Sequence, residues 1–502
     1  MEDVCNAARL EERFMLAWNG KETKDCIWWQ GEWWSWNKLN DLAADCEKKL
    51  TDAGFKSGQR VALLLPNSPM VIALTIACWR LGGAVAPLNV RTGVANLLNT
   101  IKMLDVHCVF VTEDRVEMSS EAGREINVPV VAAKLDCPLD KWKGREGIPD
   151  NEDCAIIFST SGTSGLPKAV ACSHSNLISN INSPLKHVPE LLGEDSVFLN
   201  VLPNFHTFGF NIASMLPLLN GIRQAVVPNF VPVENTIRAI KDSGVNCIIA
   251  VPTIMAFLLG SLEKNNEFLP GIKLVITGGD RLNIQMVERS LKYLGVSILE
   301  GYGLTECSPV VAVGHSVATG RLGTVGQIYD TYEVQIMDRE GNPLALNEEG
   351  VLWLRGPSVA KGYFRDEVNT KERFRDGWFN TGDVVQIDSD GYMKIVDRAI
   401  DIIIVSGFNV YPQEVEHVLC QHPSVREAVA VGEKNSITGE LVKAFIILKD
   451  GTTATHKELM DYCKERLAHY KVPRKIGFVS EFPVSPAGKI LRRELRNRKI
   501  ER

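Results

Sequence analysis

Arg60 to Pro87 reads R-V-A-L-L-L-P-N-S-P-M-V-I-A-L-T-I-A-C-W-R-L-G-G-A-V-A-P. Arg60–Leu65 has the length and apolarity of a short buried strand. Met70–Leu81 carries a helix, and Ala84–Pro87 a second strand. The rhythm goes on with a helix over Val94–Leu104 and a strand over His107–Val111. It returns at Val197–Leu202 (strand), Phe210–Leu219 (helix), Gln224–Val227 (strand), Val233–Asp242 (helix) and Cys247–Val251 (strand). Strands and helices alternating at these lengths imply parallel sheets with helices on both faces.

Upstream, Ile27–Trp36 reads as a hairpin turning at Gln30-Gly31-Glu32. Its five tryptophans are read as core and sheet packing in preference to a lipid or aromatic site. Asn37–Ala53 has helical spacing, with Gly54 as its C-cap. Downstream, from about Gly320 to Asp397, short strands alternate with turns such as Asp388-Ser389-Asp390-Gly391, a β-rich subdomain. A separate unit follows, with helices at Gln413–Gln421 and His456–Leu467 and strands at Arg426–Val431 and Val442–Leu448. The expected fold is α/β: a large N-terminal domain of helix-flanked sheets plus the β-rich subdomain (1–397), and a small mobile α+β C-terminal domain (398–502).

The chain has 502 residues, 45% hydrophobic and 23% charged, with net charge −6. That mild acidity argues against nucleic acid as a partner, since phosphate backbones need a concentrated basic field. The basic run Lys489–Arg502 is read as a solvated helix face. Twelve cysteines form no C-x-x-C pair or metal-ligand spacing, so no structural zinc is expected. Scattered thiols and a charged, tryptophan-rich start without a signal-length apolar run fit a cytoplasmic protein. No uncharged apolar stretch is long enough to span a membrane, while peripheral membrane contact stays open.

Five stretches carry chemistry. Ile157–Lys168, I-F-S-T-S-G-T-S-G-L-P-K, is an apolar strand running into hydroxyls, glycines and a lysine. Glycines let backbone N–H groups approach anionic oxygens, hydroxyls add donors, and Lys168 adds charge. The spacing is not that of a Walker loop. Glu300–Glu306, E-G-Y-G-L-T-E, offers an aromatic ring, a hydroxyl and a carboxylate able to hold Mg²⁺. The others are Gly377–Asp383, with Asp383 suited to ribose hydroxyls; Asp397-Arg398 with the run on to Ser406-Gly407-Phe408-Asn409; and Pro483–Ile490, which presents Lys489.

In this order and spacing the five stretches resemble the adenylate-forming superfamily of acyl-CoA synthetases, peptide-synthetase adenylation domains and firefly luciferase. The resemblance runs from about Trp36 to Leu495. It implies that Thr160, Ser161, Gly162, Thr163, Ser164, Gly165 and Lys168 wrap the β- and γ-phosphates of ATP. It also implies that Tyr302, between Gly301 and Gly303, stacks on adenine, that Thr305 meets the α-phosphate, and that Glu306 ligates Mg²⁺. Gly278-Gly279-Asp280 resembles the loop flanking adenine and the acyl carboxylate, and Asp383 and Arg398 would hold the ribose. Lys489 resembles the lysine bridging carboxylate and α-phosphate, where a placed cation offsets the repulsion of two approaching anions. Rotation of the C-terminal domain would then bring Gly407 to a tunnel for the pantetheine thiol of coenzyme A. The family's usual Asp or Lys at the pivot is Ile400 here, which puts the hinge's balance in question.

Pro203-Asn204-Phe205-His206-Thr207-Phe208-Gly209 looks like the acyl-pocket segment of fatty acyl and aryl ligases, with His206 at the carboxylate. It lacks the aspartate that holds an amino group in peptide-synthetase domains. The expected reaction is activation of a medium- or long-chain fatty acid to acyl-AMP and thioester formation with coenzyme A. A carrier-protein acceptor, recognised by the basic stretch Arg492–Arg502, and an aryl acid are the alternatives. An oxygenase or a non-catalytic sensor has no positive support.

Overall fold

The apolar runs become strands close to where the sequence puts them. In the computed structural model the first unit carries β1 (Asp25–Trp29), β2 (Glu32–Ser35), β3 (Arg60–Leu64), β4 (Ala84–Pro87), β5 (Val109–Val111) and β6 (Val130–Ala132). It continues with β7 (Cys154–Thr160), β8 (Lys168–Ser173), β9 (Val197–Asn200), β10 (Arg223–Val226) and β11 (Cys247–Ala250). β12 (Leu274–Gly278), β13 (Ile298–Gly303), β14 (Val310–Val313) and β15 (Gln327–Ile328) complete the set. The structure describes residues 4, 7–146, 153–160, 168–193, 195–280, 282–316, 320–338, 340–398, 401–405, 408–435, 439–484 and 490–500.

One sheet runs β6-β5-β3-β4-β7-β8 and the other β15-β14-β13-β12-β11-β9-β10-β1-β2. The pairings β3–β4, β3–β5 and β9 through β13 are parallel, as the crossover helices require. Antiparallel pairs appear where the connections are short: β1–β2, β7–β8 and β13–β14–β15. The first hairpin turns on two residues, Gln30 and Gly31, both at positive φ, a tighter turn than the three-residue one expected from sequence. Trp28, Trp29, Trp34 and Trp36 are buried, in keeping with a packing role.

Between β9 and β11 the order of the larger sheet reverses: β10 lies on one side of β9, and β11, β12 and β13 on the other. The carboxyl ends of parallel strands at such a reversal form a natural crevice, because successive loops leave in opposite directions. Each strand there is buried by the helix that follows it, such as Ile284–Leu294, which turns Val287, Tyr293 and Leu294 into the core.

By internal contacts the chain divides into two units. The second comprises Val334–Trp353, Asn380–Asp390 and Lys394–Arg502, and the first holds the remainder. The stretch after Tyr332 forms β16 (Glu333–Met337), β17 (Gly350–Arg355), β18 (Phe374–Arg375), β19 (Trp378–Ile387) and β20 (Met393–Arg398). They make a sheet in the order β16-β17-β19-β18, with β20 on β19. In the second unit β21 (Ile403–Val405), β22 (Phe408–Val410), β23 (Val425–Asn435), β24 (Gly439–Leu448) and β25 (Lys475–Phe478) form a sheet ordered β22-β21-β24-β23, with β25 on β24. Helices Pro412–Cys420 and His456–Lys464 pack on one face of it, and Leu495 enters a cluster with Val429, Val431 and Phe445 on the other. Among the described residues, no helix is long and apolar enough to cross a membrane.

Candidate active site

β7 and β8 pair antiparallel down to Thr160↔Lys168, so the Ser/Thr/Gly loop joins two strands of a hairpin, and Lys168 is the first residue of β8. A Walker loop instead leads from strand to helix. The calls on Ser161, Gly162, Thr163, Ser164 and Gly165, like those on Lys489, Ile400 and Gly407, lie outside the described residues. Of Thr160 and Arg398 only the backbone is described.

Lys168 is brought beside the second stretch. E-G-Y-G is the end of strand β13, and Thr305–Cys307 follows as one turn of 3₁₀-helix. The Lys168 ammonium lies 4.8 Å over the Tyr363 ring, and the Tyr363 hydroxyl donates to Glu306 Oε1 at 2.8 Å. Burial, then the Glu306 charge, push the Tyr363 phenol well up, so it stays a donor. Tyr363 was not singled out in the sequence.

Two buried asparagines, also unmarked by sequence, hold the chain just after Glu306. Asn180 donates to the carbonyls of Cys307 (3.0 Å) and Val310 (2.8 Å) and accepts from the Val310 N–H (3.2 Å). Asn211 donates to the Ser308 carbonyl at 2.6 Å. Ser308 sits at φ +70°, a backbone conformation that local hydrogen bonds must hold.

The other expected residues gather at the carboxyl ends of β9, β11, β12 and β13. Gly278 pairs with Gly301, and Tyr302 with Ala312. A Cβ on Gly278 would meet the Phe208 ring at 3.7 Å, and one on Gly279 would meet Val251 Cγ1 at 3.7 Å. Phe208 and Val251 thus pack beside the two glycines at the strand reversal. His206 is exposed in the loop after β9, and Asp280 is exposed beyond Gly279. Asn67 ties that loop down, donating to Asn200 Oδ1 (3.1 Å) and the Leu202 carbonyl (2.8 Å) and accepting from the Asn204 N–H (2.8 Å).

The helix expected over Phe210–Leu219 is present as a π-helix over Phe208–Met215 that runs on into α-helix at Leu216–Leu218. The Leu216 N–H reaches back five residues to the Asn211 carbonyl. The wider turn is a common marker of functional segments. In the second unit Asp383 is buried on β19, its N–H donating to Thr381 Oγ1 at 3.1 Å, and Asp397 accepts from the Gln413 N–H at 3.4 Å.

Among the described residues, no three His, Cys, Asp or Glu side chains cluster to cage a metal. Glu306 is half-buried, with one oxygen held by Tyr363. A lone placed carboxylate suits Mg²⁺, which keeps water and nucleotide phosphates as its other ligands.

The lysine on the hairpin and the carboxylate of Glu306, both against Tyr363, fit an adenylate-forming acid–thiol ligase, and the relatives of this chain show that class. The chain belongs to the AMP-binding enzyme family, which matches residues 15–364, with the family's C-terminal domain at 414–489. It is 31% identical over 488 residues to a long-chain-fatty-acid–CoA ligase of Yersinia pestis, covering 89% of this chain and 86% of that one. It is also 31% identical over 465 residues to a feruloyl-CoA synthase of Amycolatopsis, covering 92% and 93%. ATP-bound MatB from Rhodopseudomonas palustris superposes with TM-score 0.86 at 26% identity, covering 97% of this chain and 98% of that one. The o-succinylbenzoate CoA synthetase of Bacillus subtilis with its acyl-adenylate superposes at 0.85 and 25%, covering 98% and 99%.

Proposed function

We propose that this enzyme activates a medium- or long-chain fatty acid with ATP and Mg²⁺, releases pyrophosphate, and transfers the acyl group from acyl-AMP to coenzyme A. The observation that carries the reading is the apolar setting of the β9–β11 reversal, where Phe208 and Val251 lie beside Gly278 and Gly279, and Gly278 pairs with Gly301. An uncharged acyl chain would gain by desolvation against those apolar side chains.

In this reading Lys168 and the hydroxyl-rich loop from Thr160 take the β- and γ-phosphates. Tyr302 takes adenine, Thr305 the α-phosphate, and Asp383 and Arg398 the ribose. Lys489 neutralises the approach of carboxylate to α-phosphorus, and Glu306 holds Mg²⁺, which would supply further charge neutralisation at the phosphates. His206 lies at the mouth, by the carboxylate. The domain boundary falls after Asp397, and Gly407 serves the thioester half-reaction.

An aryl acid is the second reading, favoured by the equal identity to the feruloyl-CoA synthase. The test is a panel of fatty acids, benzoate and ferulate, with pyrophosphate release and thioester mass followed with CoA, with carrier protein and with neither. A CoA thioester of a C8–C18 acid, formed faster than that of ferulate by at least tenfold, is expected. Preference for ferulate establishes the second reading, and thioester only on carrier protein replaces CoA as acceptor.

A further inference from the structure

The segment Ala360–Phe364 spans the gap between the lysine strand and the carboxylate turn. At one end the Ala360 N–H donates to the Glu306 carbonyl (2.8 Å). At the other, the Phe364 N–H donates to the Ala169 carbonyl (2.7 Å), and Tyr363 bridges Val170 across an antiparallel pair. Tyr363 itself is 7% exposed. Its N–H donates to Thr370 Oγ1 at 2.9 Å, and its ring meets Phe374 edge-on at 5.6 Å. The preceding Gly362 packs so closely that a Cβ would lie 2.5 Å from Thr370 Cγ2. The ring therefore has one place to be, and two charged groups lie against it: Lys168 on its face and Glu306 at its hydroxyl.

We propose that Tyr363 is a positioning residue that sets the spacing and orientation of the phosphate-binding lysine and the metal-binding carboxylate. The proposal rests on the roles given to Lys168 and Glu306 above and deepens them. By donating to Oε1, the phenol restricts rotation of the carboxylate and leaves Oε2 uncommitted to the ring, where it could serve a metal. A charge-assisted bond of this kind is directional and strong enough to select one rotamer. The ring face attracts the ammonium and holds it near β8 before nucleotide arrives, so less side-chain freedom is lost on binding. A neutral phenol does this without adding charge, where a second lysine would compete for Glu306 and a second carboxylate for Lys168.

The experiment measures ATP affinity by calorimetry on the full chain, first in EDTA and then across a Mg²⁺ series, for wild type, Tyr363→Phe and Tyr363→Leu, with melting temperature alongside. Tyr363→Phe keeps the ring and loses the hydroxyl. It is expected to bind ATP in EDTA like wild type while the Mg²⁺ concentration that half-tightens binding rises about three- to tenfold. Tyr363→Leu loses both contacts and is expected also to bind Mg²⁺-free ATP about threefold or more weakly. Tyr363→Phe with a wild-type Mg²⁺ midpoint overturns the proposal. So do equal losses with and without Mg²⁺ that follow the fall in melting temperature, because those mark a purely structural ring. If Mg²⁺ leaves ATP affinity unchanged even in wild type, the role given to Glu306 fails and takes the proposal with it. Failure confined to Tyr363→Phe leaves that role intact.

Discussion

Asn180, fully buried on the helix His174–His187, spends its whole amide on the turn that follows Glu306. Replacing it by alanine leaves the Val310 N–H without its acceptor and the two carbonyls dependent on Tyr332, whose hydroxyl lies 3.1 Å from each. We expect Asn180→Ala to lose about 2–4 kcal/mol of stability, read from the denaturant midpoint. ATP affinity should fall with it; a variant as stable as wild type would show that Tyr332 alone suffices. His174 starts the same helix and is 1% exposed. Burial first, and the Arg9 guanidinium 3.1 Å from Nε2 second, pull its pKa down from 6.5 to about 3. Leu10 N–H donates to Nδ1, which also favours the neutral ring, while Glu11 at 3.5 Å from Nδ1 works against it. Between those pH values the unfolded chain binds a proton that the folded chain refuses. Stability is therefore fully present above pH 6.5 and falls as pH drops toward 3, by up to about 1.4 kcal/mol per unit. His174→Gln should flatten that slope in urea titrations at pH 4 to 6.5; an unaltered slope would assign it to carboxylates.

At the scale of elements, the strands were legible because β3, β9, β11 and β12 are continuous apolar runs of the right length, buried on both faces. Two elements were not. β8 reads Lys-Ala-Val-Ala-Cys-Ser, without clean alternation, because its pattern is set by β7 on one side and by the Tyr363 strap on the other. The π-helix is apolar nearly throughout, and an all-buried helix has no face to reveal its period. Its entry explains Gly209: a Cβ there would lie 2.3 Å from the Pro203 carbonyl oxygen and 2.8 Å from that of Leu202. Gly209→Ala must therefore push the Pro203–Phe208 loop outward, away from the Asn67 clamp. The expected result is at least a tenfold rise in KM for the acid with ATP affinity within twofold of wild type. Equal damage to both would mean that the π-helix carries the phosphate corner too, through Asn211 and Ser308.

For the whole molecule, candidate chemistry for the site could be proposed from residue types and spacing, and its scaffolding could not. Lys168, Glu306 and Tyr302 announce themselves by residue type and spacing. Tyr363, Asn180 and Asn67 act only through partners far along the chain, at separations no local pattern records. The second unit contains a comparable hidden anchor. Lys443 is 2% exposed on β24, and its ammonium donates to the carbonyls of Arg496 (2.8 Å) and Arg498 (3.1 Å), with Glu433 at 3.1 Å. It thereby caps the helix Arg492–Asn497, where a cation meets the negative end of the helix dipole, while Leu495 is buried beside it. That helix follows directly on the segment bearing Lys489. Lys443→Met keeps most of the volume but leaves two carbonyls unpaired and Glu433 with Lys475 alone, a loss of about 2–4 kcal/mol to the second unit. The chain should then be cut first by trypsin near its C-terminal arginines. ATP affinity, whose proposed phosphate and adenine contacts Lys168 and Tyr302 lie in the first unit, should fall less than the rate of acyl-AMP formation, which drops with the displaced Lys489. If that rate survives in a chain already cut there, Lys489 is not the residue that neutralises the attacking carboxylate, and another cation has to be sought in the first unit.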